Sequence, residues 1–270
     1  MSGARVSTLL ATAMLIPLAS DAIVVRHDRD DSAFLELADT YRCTVTFMDA
    51  DPAALSGMGT LIDRQWVLTA AHVAAGLSST SIAEIAARAY PIAQIVLHPQ
   101  WHRDADVRVD IAMVRLAQPV EGCAPVRLYT GVDEAGLVVT FVGRGAKGTG
   151  LSGVDGGGWD GQLRAATNRV VRADGPLLQF RFDAPGDAGV TALEGISGEA
   201  DSGGPAYIEL EGVLFTIGVS SHQDARPAGR KRGTYGVLEY YSRVSYFADW
   251  IREVLAPESA SESAPSIPAN

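Results

Sequence analysis

The sequence predicts an all-β protein, on three observations. From Cys43 onward, short runs rich in Val, Ile, Thr and aromatic residues alternate with Gly, Asp, Pro and Ser clusters, the pattern of many short antiparallel strands. Two of these runs, residues 206–210 and 213–219, are separated only by Glu211 and Gly212, the length of a tight hairpin turn. Helical spacing stands out near the carboxyl end, where Phe247, Trp250, Ile251 and Val254 follow Ser245, a residue type suited to an N-cap.

In chain order, Arg5 precedes an apolar run over residues 9–18 that is too short to cross a bilayer and ends in small residues. That reads as a secretory signal over residues 1–22, with Ser20 and Ala22 at the −3 and −1 places of a cut; a cut after Ser20 is the alternative. The charged, turn-like stretch 26–32 follows. Strands are expected over residues 43–47, 65–68, 111–116, 137–142 and 177–182, together with the hairpin. Residues 82–89 have the propensity of a short helix, with a strand as the alternative. Residues 143–158 are so rich in glycine that they read as a mobile surface loop, and they lack the Lys-Ser or Lys-Thr pair of a phosphate-binding loop. The helix is expected over residues 245–255, and residues 256–270, built mainly of Pro, Ser, Glu and Ala, as a disordered tail.

With 270 residues, 47% of them hydrophobic, the chain can bury a sizeable core. A net charge of −10 with few basic clusters argues against nucleic acid or an anionic membrane as partner, since phosphate binding needs concentrated positive charge. Cys43 and Cys123 either pair or both stay free, and their spacing matches no zinc motif. The histidines His27, His98 and His102 have no metal-binding spacing, with His102 a solvated loop group near Asp104 and Asp106. No cofactor or metal is implied.

Three segments carry chemistry. Glu199-Ala200-Asp201-Ser202-Gly203-Gly204-Pro205 sets a serine in a tight turn whose glycines let substrate approach. A hydroxyl needs a base, and Thr69-Ala70-Ala71-His72 supplies one just after an apolar strand. The base needs an acid to fix its tautomer, and Asp110, opening the run Asp110-Ile111-Ala112-Met113-Val114, is a candidate because a strand end can project it inward.

Together with Trp66-Val67-Leu68 ahead of the histidine segment, these motifs resemble the chymotrypsin/trypsin-like serine peptidase family, of the exported, bacterial type, across most of the mature chain. The order His, Asp, Ser fits that family and excludes subtilisin and α/β-hydrolase order. His98-Pro99, Tyr241-Ser242-Arg243-Val244 and the terminal helix add secondary matches.

The resemblance implies two six-stranded antiparallel barrels packed face to face with a carboxy-terminal helix, the first over about residues 23–130 and the second over about 131–244. It implies an endopeptidase with His72, Asp110 and Ser202 as its triad and the N–H groups of Ala200 and Ser202 as oxyanion donors, acting on protein or peptide in an exported compartment. A catalytically weak homologue that binds protein, or a serine esterase, is the alternative. Ala200 departs from the family's usual glycine: at negative φ this costs little, at positive φ about 1–2 kcal/mol. Ile23-Val24 resembles the family's activated terminus, with Asp201 as the partner of a new amino group at Ile23. For the specificity pocket the resemblance points to Ile196, Ser220 and Glu239. A buried Glu239 favours Lys or Arg, while an outward one, the prior for an isolated Glu, leaves an apolar pocket lined by Ile196. Ser220-Ser221-His222 matches the family's substrate-binding strand only loosely, and His222 reads as a wall or surface residue. Val73 stands where a cysteine often follows the histidine. A Cys43–Cys123 bridge would then staple the first barrel, worth about 2–4 kcal/mol.

Overall fold

The computed structural model describes residues 23–49, 55–102, 109–226 and 231–256. The leader expected over residues 1–22 and, apart from Ala256, the tail over 256–270 lie outside the described residues, as do Asp104 and Asp106.

Strand β1 (Val24–Val25) opens the fold and is followed by helix α1 (Asp31–Ala38) and a 3-10 turn, Asp39–Tyr41. Strands β2 (Val45–Met48), β3 (Leu55–Leu61), β4 (Trp66–Thr69), β5 (Ile82–Ile85), β6 (Arg88–Leu97) and β7 (Ala112–Leu116) close an antiparallel barrel in the order β2-β3-β4-β7-β6-β5. The short helix α2 (Ala71–Ala74) leaves the end of β4. Val45, Phe47, Leu61, Val67, Ala83, Ile85 and Val114 share one face by register and are buried together, as expected where the alternate residues of each strand point inward.

A second closed barrel follows a short strand, β8 (Arg127–Leu128). Its strands are β9 (Val138–Gly143), β12 (Arg164–Asp174), β13 (Leu177–Arg181), β15 (Pro205–Leu210), β16 (Val213–Asp224) and β17 (Leu238–Arg243). They run in the order β15-β9-β12-β13-β17-β16, and the β15–β16 pairing closes the ring. Phe141, Phe180 and Tyr241 form its aromatic centre, with Phe141 and Tyr241 stacked at 4.6 Å. The turn between β15 and β16 uses Glu211 at φ 52° and Gly212 at φ 75°, the twist that a two-residue hairpin demands. Helix α3 (Val244–Leu255) lays Val244, Phe247 and Ile251 against the core of the first barrel, so the end of the chain ties the two barrels together.

Several expectations are corrected. Residues 143–158 are not a loop: β10 (Ala146–Thr149) and β11 (Gly153–Trp159) pair as a hairpin, and β10 runs parallel to β1. Glycine there serves close packing, since a Cβ on Gly148 would lie 2.4 Å from the Gly153 carbonyl oxygen. The start of the chain belongs with the second barrel rather than the first, because β1 also pairs with β14 (Gly195–Ile196) and Asp31 of α1 grips Arg164 of β12. Residues 82–89 form the β5–β6 hairpin, turning through Ala86 and Ala87 at positive φ. Ser245 does not cap α3; Arg243 stands at the N-cap and the Ser245 hydroxyl donates to Glu134. Of the two alternatives left open for Cys43 and Cys123 the structure has the bonded one, as the bridge the resemblance implied, with Cα atoms 5.8 Å apart, joining the segment before β2 to the loop after β7.

Candidate active site

His72 sits in α2, one helical turn that begins where β4 ends, so barrel pairing fixes its backbone. Asp110 lies two residues before β7, the strand paired with β4, and this neighbouring register brings the two side chains together. The His72 ring Nδ1 lies 2.7 Å from Asp110 Oδ2, and the His72 main-chain N–H donates to Oδ1 at 2.9 Å. The Ser221 hydroxyl donates to Oδ2 at 2.6 Å, and the Ser242 hydroxyl to the Asp110 carbonyl at 2.6 Å. Asp110 is 1% exposed, whereas the His72 side chain is 41% exposed. Burial alone raises the Asp110 pKa, but the hydrogen bonds and charge of His72 and the bond from Ser221 outweigh it and hold the carboxyl below its ordinary value. The carboxylate is buried and ionised, while the imidazole beside it is open to solvent.

Ser221 reaches Asp110 through a bulge. Strands β16 and β17 pair Ser220 with Tyr241 but then His222 with Tyr240, so β16 carries one extra residue. A bulge of this kind re-aims a side chain. His222 stacks on Tyr240 at 4.8 Å, a wall position rather than a reacting one.

The segment bearing Ser202 is held from both barrels. The Ser202 carbonyl accepts the Met58 N–H of β3 at 2.8 Å, and the Gly203 N–H donates to the Ser220 carbonyl at 2.8 Å, next to the residue that binds Asp110. Gly203 has φ 81°, and a Cβ there would lie 2.2 Å from Thr69 Oγ1, so only glycine lets the serine turn close onto the His72 segment. Asp201 is buried and accepts the N–H groups of Arg144, Gly145 and Gly198 at 3.0, 3.1 and 2.9 Å. Ala200 has φ 66°, the left-handed region, which is the strained branch of the expectation above.

Glu239 overturns the expectation of an exposed side chain: it is 1% exposed. The Ser197 N–H donates to both its carboxyl oxygens, at 3.2 and 3.1 Å. Ser197 Oγ lies 2.5 Å from the Tyr241 hydroxyl and receives the Ser220 hydroxyl at 3.2 Å. Burial, against these hydrogen bonds, pushes the Glu239 carboxyl up to about 8. Ile196, the residue before Ser197, packs in a buried apolar cluster with Val24, Phe182, Tyr235 and Val237. Ile23 is fully buried and Val24 is paired on both sides, to Gly148 and Ile196.

Sequence reasoning missed Ser197, Gln223, the bond of Ser221 to Asp110 and the role of Ser242. The Tyr241-Ser242 motif was visible, but the bulge that turns Ser221 to Asp110 has no sequence mark. Among the described residues, no cluster of His, Cys, Asp and Glu suited to a metal ion occurs, and no helix is long and apolar enough to cross a membrane.

The family model described as Trypsin matches residues 40–251. Over 248 residues the chain is 28% identical to complement C1s subcomponent of Rattus norvegicus, covering 75% of this chain and 33% of that protein. It is 26% identical over 243 residues to the calcium-dependent serine proteinase of Mesocricetus auratus, covering 74% and 32%. To chymotrypsin-like elastase family member 1 of Canis lupus familiaris it is 27% identical over 220 residues, covering 73% and 80%. The chain thus spans about a third of the length of the first two relatives and most of the third.

Proposed function

Since this chain belongs to the trypsin family of serine peptidases, we propose that it is an exported endopeptidase in which Ser202, His72 and Asp110 cleave peptide bonds through an acyl-enzyme. The observation that carries the reading is the double grip of Asp110 on His72, through the ring and the main chain. That grip fixes the tautomer with the proton on Nδ1 and leaves Nε2 to take the Ser202 proton. Ser202 Oγ attacks the carbonyl carbon, and the N–H groups of Ala200 and Ser202 receive the developing oxyanion. The imidazolium, steadied by Asp110, returns its proton to the leaving amine, and the same sequence with water releases the acid.

The buried Glu239 supports preference for a basic side chain at the residue before the cut. An incoming ammonium or guanidinium favours the ionised carboxylate, so binding draws off a proton held at neutral pH in the empty protein. Removal of a leader after Ala22 would free the amino group of Ile23, whose burial at the head of β1 supports its pairing with Asp201. Labelling of the purified mature protein by a fluorophosphonate, with Ser202→Ala as control, tests the reading. Labelling lost in the control supports it; no labelling of folded protein that begins at Ile23 overturns it.

A further inference from the structure

The bulge in β16 has a second effect. Side chains on a regular strand alternate faces, so residues three apart such as Ser220 and Gln223 would point to opposite sides. The extra residue between Ser220 and His222 restores them to one side: Ser220 pairs with Tyr241 and Gln223 with Glu239, and both touch Ser197. The Gln223 side-chain N–H donates to the Ser197 carbonyl at 2.5 Å, and its oxygen receives the Gly233 N–H at 3.3 Å. The same carboxamide is one of the hydrogen-bonding groups acting on the Glu239 carboxyl. Gln223 is itself only partly buried, so it stands between solvent and the enclosed acid.

We propose that the Gln223 carboxamide is a built-in plug over Glu239, holding by its N–H groups the place that the basic group of a substrate takes, so that Lys or Arg must displace it. The proposal rests on the reading of Glu239 as the specificity carboxyl. The geometry favours it chemically. A carboxamide supplies N–H donors but no charge, so it favours the ionised carboxyl too weakly to outweigh burial, while an ammonium or guanidinium supplies both donors and charge. The plug is held by two main-chain hydrogen bonds, to the Ser197 carbonyl and from the Gly233 N–H, and by no ion pair, so a cation outcompetes it, with apparent affinity scaled down to the fraction of molecules in which it stands open. Gln223 thereby sets the depth of the pocket: small side chains fit above the carboxamide, and long basic ones only when it swings out.

The test uses the full-length mature protein and benzamidinium as probe, read by calorimetry on Ser202→Ala protein so that no turnover is needed. Gln223→Ala should tighten benzamidinium about tenfold, the factor for a plug closed nine-tenths of the time. Adding Glu239→Gln to that variant should abolish the gain. In the enzyme with Ser202 intact, Gln223→Ala should raise kcat/KM for arginyl and lysyl substrates mainly through KM, and shift the ratio of arginyl to alanyl turnover the same way. Benzamidinium binding that is unchanged or weaker in folded Gln223→Ala protein overturns the plug. Where that variant does not fold, Gln223→Ser is used with the same readings. Benzamidinium binding that ignores Glu239→Gln in the otherwise unaltered pocket overturns instead the reading of Glu239 on which the plug rests. Absence of fluorophosphonate labelling bears only on the peptidase reading.

Discussion

The Asp110 carboxylate binds His72 twice, Oδ2 to the ring Nδ1 at 2.7 Å and Oδ1 to the main-chain N–H at 2.9 Å. Two contacts on one carboxylate fix both the position and the tautomer of the ring. Asp110→Asn keeps the size but presents an N–H donor where an acceptor is needed, so kcat should fall about 10⁴-fold, as expected when such a triad takes the wrong tautomer. Ser221→Ala removes one bond to the same oxygen and leaves the double grip, so its loss should be about tenfold, the size of one hydrogen bond to a charged group. Equal losses in steady-state assays of the two variants would contradict this division of roles.

Ala200 stands at φ 66°, two residues before Ser202. Glycine adopts that conformation freely, while its greater freedom in the unfolded chain offsets part of the relief. Ala200→Gly should therefore stabilise the protein by about 1 kcal/mol in urea titrations, without slowing fluorophosphonate labelling. A destabilised variant would mean that the alanine methyl packs productively in this turn.

The fold class and the order of the chemistry-bearing residues are legible in the sequence because they rest on local signals, while the two barrels entered only through the family resemblance. The apolar run before Thr69-Ala70-Ala71-His72, the two-residue turn Glu211-Gly212 and the glycines after Ser202 each announce a backbone shape. What stays hidden depends on register between distant strands. Ser221 meets Asp110, across 111 residues, only because β16 bulges against β17. Glu239 is an isolated acid in the sequence, and only its pairing opposite Gln223 and its bonds from Ser197 show that it is enclosed. The glycine-rich stretch 143–158 misled because composition reports backbone freedom, not whether a partner strand such as β1 is present to use it.

Cys43 and Cys123 close a loop across 80 positions around the first barrel. Cross-linking a loop of that length removes unfolded-state entropy worth about 4 kcal/mol. The Cys43→Ala, Cys123→Ala double variant should lose stability of about this size while its fluorophosphonate labelling below the melting range persists. A melting temperature unchanged by the double substitution would show that the bridge constrains nothing the barrel does not already hold.

Two buried carboxyls set the pH dependence of stability. Burial raises Glu194 to about 7 and Glu239 to about 8, each from an ordinary 4.5. Below pH 4.5 both are protonated whether the chain is folded or not, and they cost nothing. As pH rises, the unfolded chain ionises first while the folded chain still holds its protons, so stability falls, and the fall ends only when the folded groups ionise near 7 and 8. The opposite sign applies to Asp110, Asp31, Asp160 and Glu134, whose folded pKa values are lowered by hydrogen bonds from His72, Arg164 and Arg243. Their stabilisation is present above the ordinary carboxylate range and is lost as pH falls through the lowered values. Thermal stability should thus peak in mildly acidic buffer, near pH 4.5, and decline toward pH 8. Glu239→Gln, which keeps an uncharged donor and acceptor in place, should roughly halve the slope of that decline between about 4.5 and 7 and remove the part between about 7 and 8, leaving the part due to Glu194. Melting curves of the two proteins from pH 4 to pH 9 that run parallel throughout would mean that Glu239 is ionised when folded, held as a carboxylate by the bonds of Ser197 and Gln223 rather than kept neutral by burial.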